Sequence, residues 1–288
     1  RLQVTELICI VNNYNYAEYL EESIVSALNQ TLPFNKIIVV DDGSTDISRD
    51  IIKRLSAKHA TLIPVLKNNE GQLSCFNAAA QYIPEDSHVF LMDSEDLFPS
   101  NYVKEFNKKV KLPTDFCFVK SIDFHESGDE IKSAYLDDQV NIVFPKTEAL
   151  VRIREVWIGN VTSSISLSGK IYKRLLPYPF QEDWRARADD LFIFAVSHIG
   201  ASKTYIPSMA IAYRKHGKND HLVKAGHYES PEETAARGVR FNKLLDFYCK
   251  KLDIARDSDP SELFSELDAS GIEGKKYFRN RGFKLLAF

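Results

Sequence analysis

Four short apolar runs, each separated from the next by a segment of helical periodicity, fill the first ~100 residues. They are Leu7-Ile8-Cys9-Ile10-Val11, Lys36-Ile37-Ile38-Val39-Val40, Leu62 to Leu66, and His88-Val89-Phe90-Leu91-Met92. Runs of this length rich in β-branched residues read as buried strands. Between them, Ala17, Leu20, Ile24, Ala27 and Leu28 share one helical face, as do Ile47, Ile51, Ile52 and Leu55, and then Leu73, Phe76, Ala80 and Ile83. Strand and helix in strict alternation imply right-handed parallel βαβ units, an α/β fold with a Rossmann-like, mostly parallel sheet flanked by helices. Helix starts are expected at Asn15, with Glu18 completing a capping box, and at Ser44 or Thr45.

In such a sheet the loops after strands one, two and four emerge at one edge, where open α/β sheets bind ligands. Those loops read Asn12-Asn13-Tyr14-Asn15, Asp41-Asp42-Gly43 and Asp93-Ser94-Glu95-Asp96. The last places three carboxylates in four residues directly after an apolar strand. Taken alone, it is a solvated acidic turn. At the ligand edge of a sheet, hard oxygen ligands suit Mg²⁺ or Mn²⁺, which usually bridge to substrate phosphates.

Composition narrows the function classes. The 288 residues carry a net charge of −3, which gives no electrostatic case for nucleic acid. Cys9, Cys75, Cys117 and Cys249 are far apart, so neither zinc nor a disulfide framework is expected and a reducing compartment fits. No apolar run approaches the ~18–20 residues of a membrane span. Arg1 in place of Met, and an end on the apolar, basic 283–288, read as a trimmed chain. The expected location is cytoplasmic, with 283–288 as a segment that would touch a membrane surface peripherally.

After residue 100 the pattern loosens. Asn101–Val110 predicts a helix, Phe116–Phe124 a strand, Thr162–Leu167 a half-buried strand followed by a helix to Leu176, and Ala188–Ile199 an amphipathic helix. Tyr205–Pro207 and Ala210–Arg214 predict two short strands. Helices dominate from Ser230 onward.

The order of motifs resembles a family 2 glycosyltransferase with the GT-A fold. The matching residues are Ile10-Val11-Asn12-Asn13-Tyr14-Asn15, Leu20–Ile24, Leu28-Asn29-Gln30-Thr31 and Ile38–Asp46. Asn69-Glu70-Gly71-Gln72 with Phe76-Asn77-Ala78-Ala79 is similar to that family's glycine-asparagine helix start. Asp93–Asp96 stands where the family has D-x-D. Trp184, Ala188-Asp189-Asp190 and Tyr213-Arg214-Lys215-His216-Gly217 resemble its acceptor-side segments. The match covers roughly residues 4–220.

The resemblance implies a GT-A domain over 1–225, with a nucleotide-binding half at 1–100 and an acceptor-binding half at 101–225. A helical extension over 226–288 would pack on that domain, form an oligomer or lead into a further domain. It implies an inverting, metal-dependent enzyme that moves a sugar from a nucleotide-sugar, a UDP-sugar here, to a hydroxyl of a glycan, lipid-linked or protein acceptor, as in polysaccharide biosynthesis. Asn12 and Tyr14 would contact the base, and Asp42 would accept uracil N3–H; the bland reading of Asp41 and Asp42 is helix capping. Gln72 and Ser74 would line the donor pocket. Asp93 would hold ribose or metal, and Glu95 and His216 would complete the shell of Mn²⁺ or Mg²⁺. Glu95 departs from the family's Asp at that position, with Asp96 as a replacement ligand. Asp189 is the first candidate for the general base and Asp190 the alternative. Trp184 would stack on a sugar face or lie in the core. The rival reading is an inactive GT-A-like nucleotide-binding or interaction module. A receiver domain is half this length with an acidic first loop, and a nucleotidyltransferase needs a Gly-rich, Arg-containing loop after strand one. Neither pattern is present.

Overall fold

The β-branched runs become the strands that the sequence predicts. β1 (Glu6–Asn13), β2 (Lys36–Asp42), β3 (Leu62–Lys67) and β4 (Ser87–Asp93) pair in the order β3-β2-β1-β4, all parallel. Helices α1 (Ala17–Leu28), α2 (Ser48–Ser56) and α3 (Gln72–Ala79) connect them. The computed structural model describes residues 5–125, 133–216 and 231–281. The expectations for Gly217 and for 283–288 lie outside the described residues.

Beyond α4 (Tyr102–Lys109) the sheet becomes mixed. β5 (Phe116–Phe124), β6 (Ile142–Phe144), β7 (Ile165–Ser168) and β8 (Lys203–Arg214) extend it to the order β3-β2-β1-β4-β7-β5-β8-β6. β7 runs antiparallel to β4 and β5, and β6 antiparallel to β8, while β5 and β8 are parallel. Helices α5 (Glu148–Arg154), α6 (Gly169–Leu175) and α7 (Ala188–His198) belong to this half.

The two-residue period of the strands splits the core into two layers. Ile8, Ile10, Ile38, Val40, Val89 and Leu91 point to one face, with Leu73 and Phe76 of α3 and Leu191 and Phe192 of α7. Cys9, Val11, Ile37, Val39, Phe90 and Met92 point to the other, with Leu20 and Ile24 of α1, Ile52 of α2 and Phe106 of α4. Continuing that alternation by one step puts Asn12, Asp42 and Asp93 on the α3/α7 face. Asn13 and Asp41 fall on the opposite one.

Several local expectations are corrected. Asn15 does not cap α1. It sits at φ 57°, and its Oδ1 accepts Thr45 N–H at 2.7 Å. Asp46, rather than Ser44 or Thr45, serves both neighbouring helices, accepting Ala17 N–H and Ser48 N–H at 2.9 Å each. Ile47 is 64% exposed, because α2 begins only after it. Thr162–Ser164 is a 3-10 turn, and the strand that follows is buried on both faces. α7 is not amphipathic: it is buried all round except at Asp189. The two short strands are one, β8, with a register shift where Val119 pairs Ile206 and Lys120 pairs Ala210.

The C-terminal helices α8 (Pro231–Leu252), α9 (Pro260–Ala269) and α10 (Gly271–Asn280) join the core of the sheet. Phe241, Leu244 and Tyr248 of α8, Leu267 of α9 and Phe278 of α10 lie in the same apolar cluster as α7. Glu266 accepts Ala149 N–H and Leu150 N–H at 2.9 Å, satisfying the start of α5. No helix among the described residues is long and apolar enough to cross a membrane.

Candidate active site

At the C-terminal edge of the parallel strands lies a cleft of about 530 Å³. Asn12, Tyr14, Asp42, Gln72, Asp93, Glu95 and Asp189 all line it. Strand register alone accounts for much of this. Asn12 pairs with Asp93 across β1 and β4, and its Nδ2 donates to Asp93 Oδ1 at 2.6 Å. Asn13 pairs with Asp41 and donates to Asp41 Oδ2 at 2.9 Å on the other face. Asp41 also accepts Ser44 N–H and Arg49 Nε, so it holds the turn together from inside.

Asp42 is nearly buried at the base of the cleft. Its Oδ1 accepts Lys67 Nζ at 2.7 Å, Glu70 N–H at 3.0 Å and Ser74 Oγ–H at 3.2 Å. Its Oδ2 accepts Gly71 N–H at 2.8 Å. These bonds fix the loop that leads into α3. Gly71 has φ 96° and lies against the main chain of Arg185, where a Cβ would not fit. Gln72 N–H donates to Arg185 O at 2.9 Å, and the Arg185 guanidinium bonds Asn69 Oδ1. The 185–188 segment is thereby held against the start of α3, and Arg185, Ala186 and Arg187 line the cleft.

Asp93 is raised above the usual carboxylate range by burial, against donation from Asn12 and Gln72. Asp96 is pushed up to about 8 by burial and by the Asp93 charge. It does not replace Glu95: its Oδ2 accepts Ser163 Oγ–H at 2.5 Å and its Oδ1 accepts Arg214 N–H at 2.9 Å. Asp96 therefore ties the acidic loop to β8. Glu95 lines the cleft instead, and its Oε1 lies 3.4 Å from His216 Nε2. Tyr19 stacks on the His216 ring with centroids 5.1 Å apart, and Tyr16 meets it edge-on.

Among the described residues no group of three or more His, Cys, Asp or Glu side chains forms a metal cage. An ion that bridges to substrate phosphates needs only one or two protein ligands. The Glu95–His216 pair, an oxygen and an imidazole nitrogen on adjoining segments, fits an ion of that kind.

Asp189 and Asp190 are adjacent but face different surroundings. Asp189 opens onto the cleft and accepts Asp190 N–H at 3.0 Å. Burial raises its carboxyl, helped by the charges of Asp190 and Asp93. Asp190 is buried and turned away, accepting Trp157 Nε1–H at 2.8 Å and pairing with Arg187 Nε at 3.1 Å. Trp184 is core, 2% exposed beneath α8. Ser74 is likewise buried, and its hydroxyl bonds Gly71 O and Asp42.

The profile of the family described as Glycosyl transferase family 2 matches residues 8–174, more than half of the chain. The chain belongs to this family. An uncharacterized glycosyltransferase of Nostoc sp. is 27% identical over 261 residues, covering 86% of this chain and 79% of its own. Glycosyltransferase GlyA of Streptococcus pneumoniae is 26% identical over 208 residues, 71% of this chain but 30% of its own length. The fold matches Staphylococcus aureus TarS 1-349 in complex with UDP-GlcNAc, with a TM-score of 0.61, 18% identity, and coverage of 99% of this chain and 76% of that one. It also matches the mannosyltransferase PcManGT of Pyrobaculum calidifontis in complex with GDP-Man and Mn²⁺, with a TM-score of 0.54 and 16% identity, over 99% and 82% of the two chains. The family 2 glycosyltransferase described here therefore has the mostly parallel sheet and flanking helices of its structural neighbours.

Some residues of this glycosyltransferase site were not expected from the sequence. Arg185, Arg187, Thr162 and Tyr16 line the cleft as well, beside Tyr213 of the expected acceptor-side motif. Ser163 bonds both Asp93 N–H and Asp96. The polar triplet Thr162-Ser163-Ser164 before an apolar strand was the one available signal.

Proposed function

We propose that this glycosyltransferase moves a sugar from a UDP-sugar to an acceptor hydroxyl with inversion at the anomeric carbon. The observation that carries the reading is the convergence of Asp42, Asp93, Glu95 and Asp189 on one cleft. Carboxylates at this density are costly unless a cation or hydrogen-bond donors arrive to meet them.

Asn12 and Tyr14 border the nucleotide base, and Asp42 reads it. Among the described residues Asp42 Oδ2 accepts one bond, from Gly71 N–H. That oxygen retains capacity for a second donor, which uracil N3–H supplies. Asp93 faces the ribose or the metal. A divalent ion, Mn²⁺ or Mg²⁺, held by Glu95 and His216 supplies charge neutralisation to the departing diphosphate when bound. The N-terminus of α3 faces the same cleft and favours negative charge there.

Asp189 is the general base. Its raised affinity for protons suits it to take the acceptor's hydroxyl proton as the hydroxyl oxygen attacks the anomeric carbon. The bond from that carbon to the phosphate oxygen breaks, and its electron pair leaves with UDP. Asp190 holds the first turn of α7 through Trp157 and Arg187. In this reading residues 1–100 are the nucleotide-binding half and 101–225 the acceptor-binding half.

Calorimetric titration of UDP, with Mn²⁺ and with EDTA, tests the reading on wild type and Asp42→Ala. Metal-dependent binding that the variant loses is the expected result. Absence of binding under both conditions removes the UDP reading. Metal-dependent binding without transfer to any acceptor or to water favours the inactive module instead. Binding that ignores the metal removes Glu95 and His216 from the mechanism.

A further inference from the structure

Gln72, the first residue of α3, stands between the two carboxylates assigned to opposite sides of the reaction. Its Nε2 donates to Asp93 Oδ1 at 2.9 Å and lies 3.4 Å from Thr162 Oγ1. Its Oε1 accepts Ala188 N–H at 2.8 Å. Ala188 is the first residue of α7, and N–H groups in a first turn have no partner within their helix. The next residue along α7 is Asp189. One side chain therefore connects the end of β4 directly to the start of the helix that carries the base.

We infer that Gln72 is a positioning residue that sets the separation of Asp93 from Asp189, and so the distance between bound donor and general base. The inference rests on the transfer reaction proposed above. Its chemistry requires an amide, which presents a donor and an acceptor from one planar group. Glutamate at this position would still accept Ala188 N–H but would turn a like charge on Asp93. Methionine would span the same length and make neither bond. The backbone reinforces the register, because Gln72 N–H is bonded to Arg185 O at 2.9 Å, three residues before Ala188. Asn12 holds Asp93 independently at 2.6 Å, so donor binding should survive the loss of Gln72 while alignment does not.

Steady-state kinetics of Gln72→Met and Gln72→Glu against wild type, together with UDP titration and melting curves, separate the possibilities. The expected result is a kcat lower by about 10- to 100-fold in both variants, as for reacting groups misplaced by roughly 1 Å. Donor KM and UDP affinity should stay within about threefold of wild type. Gln72→Glu with wild-type kcat overturns the inference, since capping Ala188 would then be the whole role. Equal changes in kcat and UDP affinity overturn it too, because Gln72 would then be a binding group. If Gln72→Met fails to fold, the isosteric Gln72→Glu decides alone. A wild-type protein that never transfers overturns the transferase reading and this inference with it. A wild type that transfers beside an unaffected Gln72→Glu overturns the inference alone.

Discussion

Replacing Gly71 with alanine imposes two costs on one residue. Its φ of 96° and ψ of 170° lie in a region open essentially to glycine, where another residue is strained by about 1–3 kcal/mol. The added Cβ would also sit 2.4 Å from Arg185 Cα and 2.7 Å from Arg185 Cβ. The obstructing atom is main chain, so it cannot swing aside as a side-chain tip would. Overpacking of this kind costs a further ~1–3 kcal/mol. Separating the two segments relieves the clash but loses the Gln72 N–H to Arg185 O bond and loosens the Ala188 N–H to Gln72 bond, roughly 1 kcal/mol each. Either route leads to about 4 kcal/mol. Urea unfolding followed by far-UV circular dichroism, with linear extrapolation, measures it. Gly238→Ala in α8 is the control: its Cβ would meet nothing within 4 Å, and a helical Gly→Ala exchange stabilises by about 0.5–1 kcal/mol. A Gly71→Ala protein within about 1 kcal/mol of wild type, at unchanged m, refutes the claim that the 69–72 turn is locked against 185–188.

Asp189→Asn should lower transfer by about 10²- to 10⁴-fold, the usual worth of a general base, while UDP affinity in calorimetry stays near wild type. Because burial, Asp190 and Asp93 raise Asp189, and because a base acts ionised, activity should fall with decreasing pH through a value above the ordinary aspartate range. Asp190→Asn removes one of those like charges, so the acidic limb of its pH–rate profile should move to lower pH; an unmoved limb counts against the assignment. Glu95→Gln should weaken Mn²⁺-dependent UDP binding by at least about tenfold and leave binding in EDTA unchanged, read by titration. Gln30→Leu strands Val103 N–H, which the buried amide oxygen now accepts at 3.1 Å, while Pro99 O keeps its bond from Tyr102 N–H; it should cost about 2 kcal/mol in urea unfolding.

β1, β2 and β4 are legible because a parallel strand buried on both faces leaves a near-continuous apolar run, whereas β3, half exposed at the sheet edge, is legible only as the apolar run Leu62 to Leu66. Helix boundaries are less so. The cap of α1 comes from Asp46, twenty-nine residues from Ala17, so no local S/T-x-x-E reading finds it, while at α2 the same carboxylate acts locally on Ser48 N–H. β8 resembles two pieces in sequence because its bulge lets residues 207–209 pass unpaired with β5. The sequence of α7 suggests an amphipathic helix, but α8 of the C-terminal extension covers its outer side through Phe241 and Leu244. That partner lies some fifty residues later and leaves no periodic trace in α7 itself.

The site divides along the same line, and the division has a physical cause. Asn12, Asp42 and Asp93 are one period-2 step beyond buried strand residues, so strand alternation and register together bring them to one face. Arg185, Arg187 and Asp189 arrive by tertiary packing. Arg187 sits at φ 61° with no glycine or asparagine to announce the turn, and its guanidinium is committed to Asp190. The join between the two groups is Gln72, whose neighbour Gly71 was visible as a helix start but not as a point of backbone contact. Side chains at the strand ends are placed by local pattern, whereas those of the 185–189 segment are placed by tertiary contacts. The raised affinity of Asp93, Asp96 and Asp189 for protons belongs to the same balance. Carboxylates with raised folded-state values favour folding at low pH and lose that contribution as pH rises through those values. As pH rises past those values, the ionised carboxylates hold charge that opposes the fold. Binding a cation with the donor would relieve it, which places the cost of assembling the site where ligand binding offsets it.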